Sequence, residues 1–129
     1  MNPLSNDKVE EILQDNIKYQ AILEWLNDKK AENIRTYEVQ GKTDYTDVIV
    51  VCEGNADLHN RAIANHLIEM AKEHKLSVLS KEGVDNAQWI LIDLGDVIVH
   101  IFLPQTRDHY KIDDLFEKVK TRKPEEDMQ

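Results

Sequence analysis

Apolar positions recur along this chain at strand spacing in some stretches and at helix spacing in others, and the sharpest pattern lies between residues 81 and 110. Two apolar runs, 89–94 and 97–103, flank Gly95-Asp96. Glycine's access to positive φ suits a tight turn, so the two runs are predicted to pair antiparallel. With that turn, Asp93 faces Ile98, Leu91 faces His100 and Trp89 faces Phe102. Alternation gives one wholly apolar face: Ile90, Ile92, Leu94, Val97, Val99 and Ile101. On the other face Asp93 and His100 interrupt Trp89, Leu91, Ile98 and Phe102. A sheet covered on both sides follows.

The remaining elements surround this hairpin. Val9, Ile12, Leu13, Ile17, Ala21, Ile22, Trp25 and Leu26 share helical spacing, with Ser5 or Asn6 as the cap and Lys29-Lys30 in the last turn. Residues 33–40 alternate as a strand, 41–44 turn, and 47–53 form the continuous apolar run of a strand buried on both faces. Asn55 or Asp57 is expected to cap a helix reaching about Lys75, with Leu58, Ala62, Ile63, Leu67, Met70, Ala71 and His74 inward. Residues 76–80 predict a strand parallel to the previous one, because a helix intervenes. After Pro104, Thr106 is expected to cap a single last helix carrying Tyr110, Ile112, Leu115, Phe116 and Val119. The order α-β-β-α-β-β-β-α predicts one α/β domain, a mixed five-stranded sheet with helices on both faces. Residues 1–15 read as an extension, 16–120 as the domain, and 121–129 as a polar tail expected to be disordered.

Composition narrows the function. At 129 residues the chain can bury on the order of two-thirds of its unfolded surface, so it needs no disulfide or metal staple. Acidic residues outnumber basic ones by 25 to 16, a formal charge of −9 that disfavours direct nucleic-acid binding and favours a basic partner surface. The lone cysteine, Cys52, sits in an apolar run and fits a reducing compartment. No run approaches a membrane span and the first residues lack signal-peptide character, so a cytoplasmic protein is expected.

Several constellations invite chemistry. His59 and His66 are two helical turns apart, too far along one helix to share a metal by themselves. Asp93 and His100 are diagonal neighbours in the hairpin register, half of a nucleophilic triad without a nucleophile elbow; they read better as a polar pair bracing the hairpin. Gly54-Asn55 stands between a strand and a helix, where phosphate loops occur, but lacks the glycine-rich and Lys-Ser/Thr motifs. Asp44 and Asp47 weakly resemble the metal-binding carboxylates of nucleotidyl transferases, without the accompanying Gly-Ser signature. No catalytic set, metal or cofactor is expected; the alternative is a nucleotide-binding or nucleotidyl-transferring enzyme using Asp44, Asp47 and the Gly54 helix entry. Trp89 and Tyr110, with Glu82, Asp85, Asp93, Asp96, Asp108, Asp113 and Asp114 around them in sequence, describe an aromatic centre with an acidic rim.

The run EG-x5-WI-x2-DLGDVIVHIF followed by R-x2-Y resembles the ribosomal silencing factor family, also called the Iojap family. KKAENI, G-x-T-x2-TD and the Gly54 helix entry agree with it, over residues 29–116. The chain departs from the family pattern at Asn55-Ala56-Asp57-Leu58-His59, and at Asp113-Asp114-Leu115-Phe116 where the family usually has Glu-x-Leu-Trp. The resemblance implies a nucleotidyltransferase-like fold without catalytic residues. It also implies binding to the large ribosomal subunit through its protein fourteen, blocking of small-subunit joining under nutrient limitation, and a homodimer when free. It places Trp89, Tyr110, Asp93, Asp96 and Arg107 among partner-binding candidates, with His100 as a structural polar residue.

Overall fold

A computed structural model of the chain describes residues 6–122, with side chains from residue 16 onward. The elements are α1 (Asn6–Asp28), β1 (Glu32–Glu38), β2 (Val48–Glu53), α2 (Asp57–Glu73), β3 (Ser80–Glu82), β4 (Trp89–Asp93), β5 (Val97–Phe102), α3 (Pro104–His109) and α4 (Ile112–Lys120). The strands form one mixed sheet in the order β1-β2-β5-β4-β3. The two most continuously apolar strands, β2 and β5, lie at its centre and run parallel, with Val48 opposite Val97 and Glu53 opposite Phe102. All other neighbours are antiparallel.

The hairpin has the register its turn predicts. Trp89 pairs with Phe102, Leu91 with His100 and Asp93 with Ile98, and Gly95 takes φ 92° in the turn. Its wholly apolar face packs with Val50 and Cys52 of β2 against Ile22, Trp25 and Leu26 of α1 and Ile63, Leu67 and Ala71 of α2. A second core lies on the other side of the sheet. There Ile112, Phe116 and Val119 of α4 cover Tyr37 and Val39, Ile49 and Val51, and Phe102.

Several boundaries and faces differ from the periodic reading, each for a tertiary reason. α1 is one helix through Asp15-Asn16, so the expected 15/16 domain boundary falls inside it. It ends before Lys29, Lys30 takes a left-handed turn, and Ile17 points to solvent. Ser5, the side chains of Asn6, Val9, Ile12 and Leu13, and most of the 121–129 tail lie outside the described residues.

α2 starts after Ala56, and neither Asn55 nor Asp57 is its cap: the Asp57 carboxylate accepts from the adjacent Leu58 N–H at 2.8 Å, and the Asn55 N–H donates to His59 Nδ1 at 2.9 Å. The inner face of α2 is rotated toward Asn60, Ile63, Ala64, Leu67, Ile68 and Ala71, leaving Leu58, Ala62 and His74 exposed. A polar residue on that face disguised it. Asn60 is tolerated there because its Nδ2 donates to the Ala87 carbonyl at 2.7 Å.

β3 does run in the direction of β2, but as the far edge strand beside β4, and it begins at Ser80. Leu76 and Val78 pack on the core instead of entering the ladder. The single last helix expected after Thr106 is two helices. Leu103 occupies the N-cap position, Pro104 takes the first turn where its missing N–H costs nothing, and Lys111 in the left-handed region (φ 49°) breaks the chain between α3 and α4.

Candidate docking surface

The core under α4 draws on β1, β2 and β5 and includes no residue of β4. Trp89 begins β4 here and remains 38% exposed; Tyr110, at the α3–α4 break, is 57% exposed and its ring lies 5.8 Å from the indole. The indole also packs on Phe102 at 4.9 Å. Leu115 of α4 is half exposed, and Leu91 is half-buried beside His100. Two aromatic rings with polar handles, standing on a buried aromatic base, form a surface suited to filling pockets on a partner.

The backbone leading into Trp89 is pinned from three sides. Arg61 donates to the Val84 and Asp85 carbonyls at 3.0 and 2.6 Å, Asn60 holds Ala87, and Leu103 N–H donates to Gln88 at 3.0 Å. Gly83 adopts φ 80°, and a Cβ there would meet the Trp89 carbonyl oxygen at 2.1 Å. The EG-x5-WI spacing thus has a steric cause: only glycine lets the loop close onto Trp89.

His100 lies beneath this surface, 7% exposed, stacked parallel to Phe102 and 5.2 Å from Phe116. Its Nδ1 accepts the indole N–H of Trp89 at 3.0 Å, which requires the neutral ring with its proton on Nε2. Burial disfavours the imidazolium and lowers the pKa to about 4. Asp93 is not its partner. That carboxylate accepts from Gly95 N–H at 2.8 Å and braces the turn, so the expected Asp93–His100 pair is separated into two local roles.

Arg107 points inward. It is 6% exposed, and its guanidinium chelates Asp113 through Nε and Nη2 at 2.7 and 2.9 Å while Nη1 donates to Glu53 at 3.0 Å and to the Asn33 carbonyl at 2.8 Å. Asn33 Nδ2 donates to the other Glu53 oxygen at 2.8 Å, and Tyr37 OH donates to Asp113 at 2.5 Å. Burial alone would lower the Arg107 pKa; the Asp113 and Glu53 carboxylates outweigh it and hold the group above its usual range. The Arg107 hydrogen bonds in turn hold Asp113 below the usual carboxylate range. Burial and the Asp113 carboxylate raise Tyr37 to about 12. This network ties β1 and β2 to the α3–α4 break that presents Tyr110. Sequence reasoning missed Asn33, Tyr37 and Glu53 as its members; a charged residue closing the apolar run of β2 was the one available signal.

The other candidates are dispersed. Asp96 accepts from Lys18 Nζ of α1 at 2.5 Å, and the same ammonium donates to the Leu94 carbonyl at 2.7 Å. Asp93 and Asp96 therefore sit at the turn end of the hairpin, about 13 Å or more along the strands from Trp89. Of the sequence's acidic rim, Glu82, Asp85, Asp108 and Asp114 are exposed, whereas Asp93, Asp96 and Asp113 have internal partners. His59 bridges Asn55 N–H and the Lys29 carbonyl, and His66 contacts Asp28 at 2.9 Å. Among the described residues no three His, Cys, Asp or Glu side chains gather to hold a metal. Asp47 lines a cleft with Glu38 and Asp96 at one end of β2, while Gly54 follows the other end, roughly 20 Å away. The carboxylates and the helix entry of the enzymatic alternative are not brought together.

The fold is a mixed α/β domain with a buried Arg107 cluster and with Trp89 and Tyr110 turned outward. The chain belongs to the ribosomal silencing factor family: the family model described as ribosomal silencing factor during starvation matches residues 12–129. It is similar to ribosomal silencing factor RsfS of Bacillus subtilis, 38% identical over 90 residues that span 70% of this chain and 76% of the relative. Two crystal structures share the fold. A Chromobacterium violaceum protein is 30% identical with a TM-score of 0.74 over 77% of this chain and 82% of its own. A Bacillus halodurans protein is 34% identical with a TM-score of 0.72 over 78% and 93%.

Proposed function

We propose that this chain is a non-catalytic silencing factor that docks on the large ribosomal subunit through its protein fourteen and sterically prevents the small subunit from joining. Translation then falls when nutrients are short. The protein works in the cytoplasm and forms a homodimer when free. The observation that carries this reading is the pair of Trp89 and Tyr110, exposed side by side and backed by a braced aromatic base. The exposed carboxylates Asp85, Asp108 and Asp114 suit approach to a basic protein surface. Asp93, Asp96 and Arg107 act behind the surface, through the hairpin turn, α1 and the α3–α4 break.

Sedimentation with separated subunits tests the proposal. The protein should co-migrate with large subunits and reduce the yield of joined ribosomes. Trp89→Ala should weaken that binding by about 2 kcal/mol or more, since a central aromatic anchor is lost. Undiminished binding by Trp89→Ala, or joining unaffected by excess protein, would sink it.

A further inference from the structure

Trp89 uses its indole N–H inside the protein although water is within reach. A tryptophan at the start of a strand, more than a third exposed, can satisfy that donor with solvent. Here the N–H is turned inward to His100 Nδ1 at 3.0 Å. The acceptor is itself buried: the imidazole is stacked against Phe102 with an interplanar angle of 13° and backed by Phe116, both members of the core under α4. The exposed indole is thus fixed at its polar end by a buried ring and at its flank by Tyr110, 5.8 Å away.

We infer that His100 is a positioning residue for docking: it holds Trp89 in one presented orientation, so that the partner meets an anchor already in place. This rests on the docking reading above and specifies how the anchor is prepared. The geometry assigns the work to one lone pair. Phenylalanine at position 100 keeps an aromatic ring to stack and bury, and removes the Nδ1 acceptor together with the Nε2–H. Without the acceptor the indole regains rotamers that binding must then select, which corresponds to about a three- to tenfold loss of affinity.

A double-mutant cycle on binding to isolated bacterial large ribosomal subunits separates positioning from simple support of the fold. His100→Phe should weaken binding about three- to tenfold in the parent chain. In the Trp89→Phe background, which has no indole N–H, the same substitution should change nothing further. The Trp89 indole N–H resonance should shift and exchange faster with water in His100→Phe. Equal losses in both backgrounds, or an unmoved resonance, overturn the inference while leaving the docking reading standing. If Trp89→Ala binds like the parent, the docking reading fails and this inference with it. Should His100→Phe not fold, His100→Leu removes the same acceptor and enters the same cycle.

Discussion

His100 is a base buried where its charged form cannot be solvated, and that has a consequence for stability. Its folded pKa, about 4, lies below the ordinary 6.5. The unfolded chain therefore binds the proton more readily between these values, and stability falls as pH drops through the window. The contribution is intact above pH 6.5, and about 3 kcal/mol of stability has been lost once pH has fallen below 4. Urea unfolding of the parent and of His100→Phe at pH 7 and pH 4 should show the parent losing more stability on acidification by about that amount. Equal losses would refute the assignment. Cys52 is another buried titratable group of the sheet. Burial raises its thiol to about 12, with Arg107 opposing and Glu53 assisting. A thiol-specific reagent at pH 8 should leave the native protein untouched and modify one group per chain after denaturation.

At the scale of elements, the break at Lys111 and the network around Arg107 act together. An unbroken helix would carry Tyr110 and Ile112 along one axis. The left-handed residue redirects α4 so that Ile112, Phe116 and Val119 reach the sheet while Tyr110 stays outside. Arg107 secures this joint to β1 and β2. Arg107→Leu would leave Glu53, almost wholly buried, without its cation, and should cost about 3 kcal/mol or more of unfolding free energy. Tyr37→Phe removes one donor from Asp113, which keeps its guanidinium, and should cost only about 1 kcal/mol. Chemical denaturation of both variants checks the order. A loss for Arg107→Leu no larger than for Tyr37→Phe would mean that the network does not hold the joint.

For the molecule as a whole, the proposed docking makes the −9 charge a matter of approach more than of the bound state. Glu82, Asp85, Asp108 and Asp114 are exposed carboxylates, so screening should slow association with a basic partner while leaving dissociation nearly unchanged. Stopped-flow mixing with the purified ribosomal protein should show the association rate constant falling between about 0.05 and 0.5 M salt. A dissociation rate that carried the salt dependence instead would place charges inside the interface. Among the described residues no helix is long and apolar enough to cross a membrane.

Much of this architecture was legible in local pattern. Gly95, the alternation on either side of it and the two apolar runs set the hairpin register, because side-chain direction in a strand depends only on the count from the turn. The continuous apolar run 48–53 marked a central strand, and the aromatic residues at 89 and 110, singled out in the sequence, stand exposed. What local pattern did not contain were the choices made between distant segments. Asn60 is inside because Ala87 offers a carbonyl, Arg107 is inside because Glu53, Asp113 and the Asn33 carbonyl surround it, and Asp93 turns to Gly95 instead of His100. A polar side chain is buried or exposed according to whether a partner waits there, and that partner is known only once the chain has folded. The same holds for Trp89. The sequence by itself determined that it would stand on a sheet; only the tertiary structure, by packing α4 over β1, β2 and β5, decided that it would stay partly exposed.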